Sequence, residues 1–188
     1  MNIVTLTAKG NVLVRPDTTW ERDNEDFYVP EFVSSLLYSP ILFARISKPG
    51  RSIGEKFACR YYDAIGYGIL LYPADLLNRD EQGWACASCL DHTSFLPYPL
   101  FSPVTLGQDG NSFVLRRDGK ALYACKSLSK SDVESAVSKV SGICYLRTGD
   151  MVAMELATPV ELCNRTDRRT CISGEYCGNA VMEFNIIY

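Results

Sequence analysis

The sequence predicts a mostly β domain carrying two short packed helices. Short segments rich in branched and aromatic residues recur along the whole chain, glycine and proline turns bound them, and only two stretches carry a helical signature. Residues 2–6 and 11–15 (NIVTL and NVLVR) flank Lys9-Gly10 and predict a small hairpin. Pro16 to Asp26 is polar and loop-like, with Trp20 as its anchor. Phe27–Val29 and Leu36–Ile46 follow as strands, and Pro40 inside the second points to an edge strand, a bulge or a bend. Ser47-Lys48-Pro49-Gly50 is a turn.

The first helix is expected over Ser52–Asp63. Ser52 and Glu55 stand three apart, the spacing at which hydroxyl and carboxylate cap the free amides of a helix start. Gly66 to Tyr72 is an apolar run bounded by glycine and proline, the pattern of a buried strand. The second helix is expected over Ser131–Val140, with Val133, Ala136, Val137 and Val140 on one face and Gly142 placed to stop it. Residues 151–156 and 180–187 complete the strands. No repeat, low-complexity tract or linker interrupts the chain, so residues 1–188 read as a single domain.

Composition narrows the function classes. Hydrophobic residues make up 47% of the 188 residues and charged ones 22%, the balance of a chain that can bury a core. A net charge of -3 removes the basic footprint expected of a nucleic-acid binder. No apolar run approaches the roughly 20 residues that span a bilayer, and the opening MNIVTLTAKGNVLV lacks the pattern of an export signal. The expectation is a cytoplasmic protein. Without export, the eight cysteines read as free thiols rather than as a disulfide framework. Cys86-Ala87-Ser88-Cys89 could supply half of a zinc site or a redox pair, but its complement, Cys171 and Cys177, is spaced too widely for a usual zinc knuckle.

Catalytic signatures are sparse. A hard cation calls for two or three converging carboxylates, often as E-x-E on one strand face. Glu155 stands alone in Met154-Glu155-Leu156, where a single strand carboxylate is expected to face solvent. His92, the one histidine, sits in Leu90-Asp91-His92-Thr93-Ser94 without a nucleophile elbow. No glycine-rich phosphate loop occurs. Lys48, Arg51, Lys56 and Arg60 are expected to form a solvated basic face.

The segment Ser47-Lys48-Pro49-Gly50-Arg51-Ser52-Ile53-Gly54-Glu55, continuing to Gly68-Ile69, resembles the central segment of fumarylacetoacetate hydrolase family proteins. Val14-Arg15-Pro16-Asp17, Phe27-Tyr28-Val29-Pro30, Ala74-Asp75-Leu76, Leu146-Arg147-Thr148-Gly149-Asp150 and Met182-Glu183-Phe184-Asn185-Ile186 are similar, in order, to other elements of that family. The resemblance implies a mixed β-sandwich roll, usually dimeric. It also implies hydrolysis, isomerisation, hydration or decarboxylation of keto acids by a Mg²⁺ or Mn²⁺ ion held by three carboxylates.

This chain departs from the family at those carboxylates. Ser39 and Ile41 stand where the family has E-x-E, Leu70 stands in place of its aspartate, and Ser88 in place of its lysine. No carboxylate lies within two residues of Ser39, Ile41 or Leu70, so a one-residue slip restores nothing. The implied cation is therefore expected to be lost, together with the family's catalysis. Two classes of function follow. One is a non-catalytic relative: a binder of a small carboxylate metabolite, or a subunit acting as a homodimer or beside an active paralogue. The other is a keto-acid hydrolase or isomerase with a metal-independent site rebuilt from Arg15, Arg51, Asp75 or Asp91. The first is favoured because the sequence offers no replacement constellation. A cysteine-based zinc module is a third reading.

Overall fold

The computed structural model describes residues 1–80 and 82–188 and is built from two mixed β-sheets. The strands are β1 (Asn2–Leu6), β2 (Val12–Pro16), β3 (Trp20–Glu21), β4 (Phe27–Tyr28), β5 (Ser35–Ile46), β6 (Tyr62–Pro73), β7 (Ser94–Phe95), β8 (Ser112–Arg117), β9 (Lys120–Lys126), β10 (Met151–Glu155), β11 (Val160–Asn164), β12 (Arg169–Tyr176) and β13 (Asn179–Ile187). The larger sheet runs β2-β1-β10-β5-β6-β7-β3, with β11 also paired to β5, and the smaller runs β4-β13-β12-β8-β9. The helices are α1 (Glu55–Ala58), α2 (Ala74–Leu77), α3 (Gly83–Ala87) and α4 (Lys130–Ile143). None among the described residues is long and apolar enough to cross a membrane.

The antiparallel β5–β6 ladder is the axis of the fold. Leu36 pairs with Pro73 at one end and Ile46 with Tyr62 at the other. Both strands are buried along nearly their whole length because both faces of the large sheet are covered. On one face lies the main core, where the small sheet and α4 pack: Phe95 stacks on Phe184 at 3.6 Å, and Tyr67 lies 4.8 Å from Phe113 and 4.4 Å from Tyr176. On the other face a smaller apolar cluster lies beneath α2 and α3.

Several sequence expectations need correction. The first helix is a single turn rather than Ser52–Asp63. Ser52 takes a left-handed conformation (φ 51°) and makes no cap. The amides of Ser52 and Ile53 instead donate to the Ser141 carbonyl oxygen (2.8 Å) and Oγ (2.9 Å) of α4, so tertiary contacts satisfy them. From Tyr62 onward the chain gains more as a β5 partner than as helix. The second helix starts earlier, where Ser129 and Asp132 form a reciprocal cap. It also runs through Gly142 to Ile143.

Pro40 lies within a central strand, not at an edge. Its carbonyl accepts Leu156 N–H (2.9 Å) on the side where the neighbour of β5 changes from β10 to β11. The missing Pro40 N–H points the same way, into the break between those two neighbouring strands. Strands β7, β8, β9, β11 and β12 carry no expectation from the sequence, and β3 forms within the stretch expected to be a loop. The β8–β9 turn has φ 50° at Asp118 and 77° at Gly119, and the β12–β13 turn has 53° at Cys177 and 74° at Gly178, both tight hairpin turns.

Gly68 marks the closest approach in the large sheet. A Cβ there would lie 2.1 Å from the Phe95 carbonyl oxygen, a backbone atom held by β7. Gly68→Ala is expected to destabilise the fold by about 3 kcal/mol, seen as a lowered urea midpoint at unchanged slope.

Candidate functional site

Because side chains alternate across a strand, the face of the large sheet turned away from the small sheet collects a defined set of residues. Ser39 and Leu70 are register partners, and Ile41 follows Ser39 by two. All three are fully buried, with Ile41 and Leu70 in the apolar cluster that includes Ile3, Phe43, Tyr72 and Ala87. Ser39 Oγ donates to the Ala157 carbonyl at 2.6 Å. Ser88 follows Ala87 at the end of α3, and its buried Oγ finds no partner among the described residues. The positions singled out by resemblance thus lie in or beside one layer, filled largely by hydrocarbon.

The same layer holds a polar network that the sequence did not reveal. Arg15, on β2 opposite Ile3, is 0% exposed. Its Nη1 donates to Thr93 O (3.2 Å), Thr93 Oγ1 (3.1 Å) and Ser94 Oγ (2.9 Å), and its Nη2 to Leu71 O (2.9 Å). The guanidinium carbon stands 4.5 Å from the centroid of the Tyr72 ring. The Tyr72 hydroxyl donates to Glu155 Oε1 at 2.6 Å, and Ala8 N–H donates to Oε2 at 2.9 Å. Trp84 of α3 meets the Tyr72 ring edge-on at 5.5 Å.

Glu155, expected to face solvent, is instead 6% exposed, because its register partner is the buried Ile41 and its side chain turns to the same face. Burial raises its carboxyl pKa above the ordinary value; the Tyr72 hydrogen bond, the Ala8 amide and the Arg15 charge only partly offset this. Burial likewise raises the Tyr72 phenol, with the Arg15 charge pulling the other way.

The other flagged residues lie elsewhere. Arg51 is exposed ahead of α1. Asp75, exposed on α2, accepts Ser34 N–H and Oγ–H, both at 2.7 Å; burial raises its carboxyl, but these bonds together with the Asp75 and Ser35 amides outweigh it and hold the group below the usual range. Asp91 and His92 border a shallow depression of about 630 Å³ with Glu21, whose Oε2 is 3.4 Å from His92 Nδ1. The four residues proposed for a rebuilt site therefore do not converge: Arg15 alone belongs to the layer. Cys86 and Cys89 are exposed at α3, whereas Cys171 and Cys177 belong to the small sheet. Among the described residues, no three His, Cys, Asp or Glu side chains gather as metal ligands. The buried Cys163 thiol is pushed up to about 11 by burial.

No family model matches this chain, and no curated protein does. Solved structures do. Fumarylpyruvate hydrolase from Pseudomonas aeruginosa, in complex with Mn²⁺ and pyruvate, is 17% identical with a TM-score of 0.82, over 100% of this chain and 89% of that one. The 2-hydroxyhepta-2,4-diene-1,7-dioate isomerase of Mycobacterium marinum is 16% identical with a TM-score of 0.81, over 99% and 74%. The 5-carboxymethyl-2-hydroxymuconate delta-isomerase of Mycobacterium smegmatis is 14% identical with a TM-score of 0.79, over 99% and 78%. The mixed β fold of fumarylacetoacetate hydrolase type, expected from the resemblance, is therefore the fold this chain has.

The divalent cation implied by the resemblance does not fit the side chains at the matching positions. Ser39 offers one hydroxyl, already spent on Ala157, and Ile41 and Leu70 offer no donor atom. Glu155 is a single carboxylate where a hard dication calls for several, and the buried Arg15 guanidinium supplies a fixed positive charge to the same layer.

Glu155 makes stability depend on pH. With its folded pKa raised above the unfolded value, the native state holds the extra proton between the two. Its contribution is complete below the ordinary glutamate pKa and is lost as pH rises through the raised one. Melting temperatures of wild type and Glu155→Gln across pH 4–8 should therefore converge at the acid end, apart from a constant offset, with the wild type falling relative to the variant as pH rises.

Proposed function

We propose that this chain is a member of the fumarylacetoacetate hydrolase family that has given up metal-dependent catalysis. In this reading it serves in the cytoplasm as a small-metabolite binder or a non-catalytic subunit, as a homodimer or beside an active paralogue. The observation that carries the reading is the burial of Ser39, Ile41 and Leu70 on one sheet face, where apolar packing takes the place of ligand oxygens. A hard dication loses its hydration shell only in exchange for charged oxygens, and hydrocarbon at those points excludes it. Hydrolase and isomerase neighbours in fold support the family part of the reading.

A second reading, a metal-independent enzyme acting on a keto acid, draws support from the buried Tyr72–Glu155 pair. A carboxyl whose pKa is raised by burial, hydrogen-bonded to a phenol beside a cleft, is a group that can hold or release a proton. The residues first considered for such chemistry, Arg51, Asp75 and Asp91, contribute nothing to that pair.

Millimolar Mg²⁺ or Mn²⁺ should leave the melting temperature unchanged. A site with a Kd one hundredth of the cation concentration would add about 2.7 kcal/mol, and a saturable rise of that kind would refute the reading. The combined variant Ser39→Glu, Ile41→Glu, Leu70→Asp should lose several kcal/mol, at least ~3, through buried unpaired charge. Added Mn²⁺ should restore part of that loss if the frame still positions ligands, as read by thermal unfolding with and without the metal.

A further inference from the structure

Where β10 ends, the β1–β2 turn, the Thr158-Pro159 loop and α3 enclose a cleft of about 160 Å³. This is well below the roughly 300–1,000 Å³ of sites for drug-sized ligands, so its occupant is small. Glu155 lines the cleft together with Trp84, Lys9, Asn11 and Thr158. It thus combines a buried carboxylate, an aromatic wall, an exposed ammonium and neutral hydrogen-bonding groups.

The chemistry of Glu155 selects the occupant. A carboxylate offers about four acceptor positions, and two are taken, by Tyr72 Oη–H and Ala8 N–H. What remains calls for a donor, and a buried anion is best matched by a donor that carries positive charge. Tyr72 holds the carboxylate by hydrogen bond and the Trp84 ring by edge contact, so the two recognition groups are positioned by one side chain. An indole face also favours a cation. Arg15 does not compete for this role, since Thr93, Ser94 and the Leu71 carbonyl hold it and it does not line the cleft. Lys9 supplies the opposite charge, suited to an anionic end of the same molecule.

We propose that this cleft binds a small zwitterion of the amino-acid class, its ammonium on Glu155 against Trp84 and its carboxylate towards Lys9. The proposal rests on the reading of the chain as a small-metabolite binder and narrows its ligand to an amine-bearing acid. A 2-keto acid would present acceptors where Glu155 needs a donor.

Isothermal titration of the full chain with a panel of L-amino acids and β-alanine, each beside its matched keto acid, tests this. At least one amino acid should bind at a single site while its keto acid does not. Glu155→Gln should weaken that binding by about tenfold or more. Lys9→Glu should weaken it severalfold while sparing binding of the decarboxylated amine of the same amino acid, titrated alongside. Undiminished binding in either variant overturns the assignment to this cleft. Should Glu155→Gln fail to fold, the Lys9→Glu comparison decides alone. Binding of a keto acid with amino acids blank overturns the proposal but leaves the metabolite-binder reading intact. A panel blank throughout overturns both.

Discussion

The fold depends on the β5–β6 ladder, because among the described residues it is the only long pairing sealed from water on both sides. Eleven register pairs connect the strands, from Leu36–Pro73 to Ile46–Tyr62. Their backbone groups find partners within the sheet, so the side chains on either face are free to be apolar. One face then accepts the small sheet and α4, and the other accepts α2 and α3. Pro40 and Gly68 show how little slack this leaves. The proline sits where the flanking strand changes, and the glycine sits where β7 passes too close for any side chain. Everything that follows at the candidate site is set by which residues that ladder turns outward.

On that outward face, hydrocarbon and polarity share one layer. Ser39, Ile41 and Leu70 close the region the resemblance assigns to a cation, yet Arg15, Tyr72 and Glu155 keep charge buried beside it. Buried charge costs several kcal/mol per ion when unpaired. Here the cost is offset locally: Arg15 donates to carbonyl and hydroxyl oxygens, and Glu155 accepts from a phenol and an amide. The raised carboxyl of Glu155 is the residue of that balance, a desolvation cost that its partners do not fully cancel. A group left in this condition gains from a further partner, which is why the neighbouring cleft is more informative than the wider but shallow depression beside His92.

What was legible in the sequence were features encoded locally. The mostly β class, the first hairpin, the apolar stripe of α4 and the long buried strands followed from periodicity and turn residues. Resemblance singled out Ser39, Ile41, Leu70 and Ser88, while the shared buried face of Ser39, Ile41 and Leu70 comes from the β5–β6 register. The Asp118-Gly119 pair is a tight-turn signal in the sequence itself; Cys177-Gly178 is not, because cysteine gives no sign of a positive φ. What only the tertiary structure decided were outcomes of long-range contact. Ser141 of α4 satisfies the amides of Ser52 and Ile53 and so removes the reason for a longer first helix. Glu155 turns inward because β10 pairs with β5 in a register that sets it beside Ile41. Arg15 is buried because oxygens from residues 71, 93 and 94, distant in sequence, converge on its guanidinium. A strand's alternation is written in the chain, but which of its two faces meets solvent is fixed only by what packs against it.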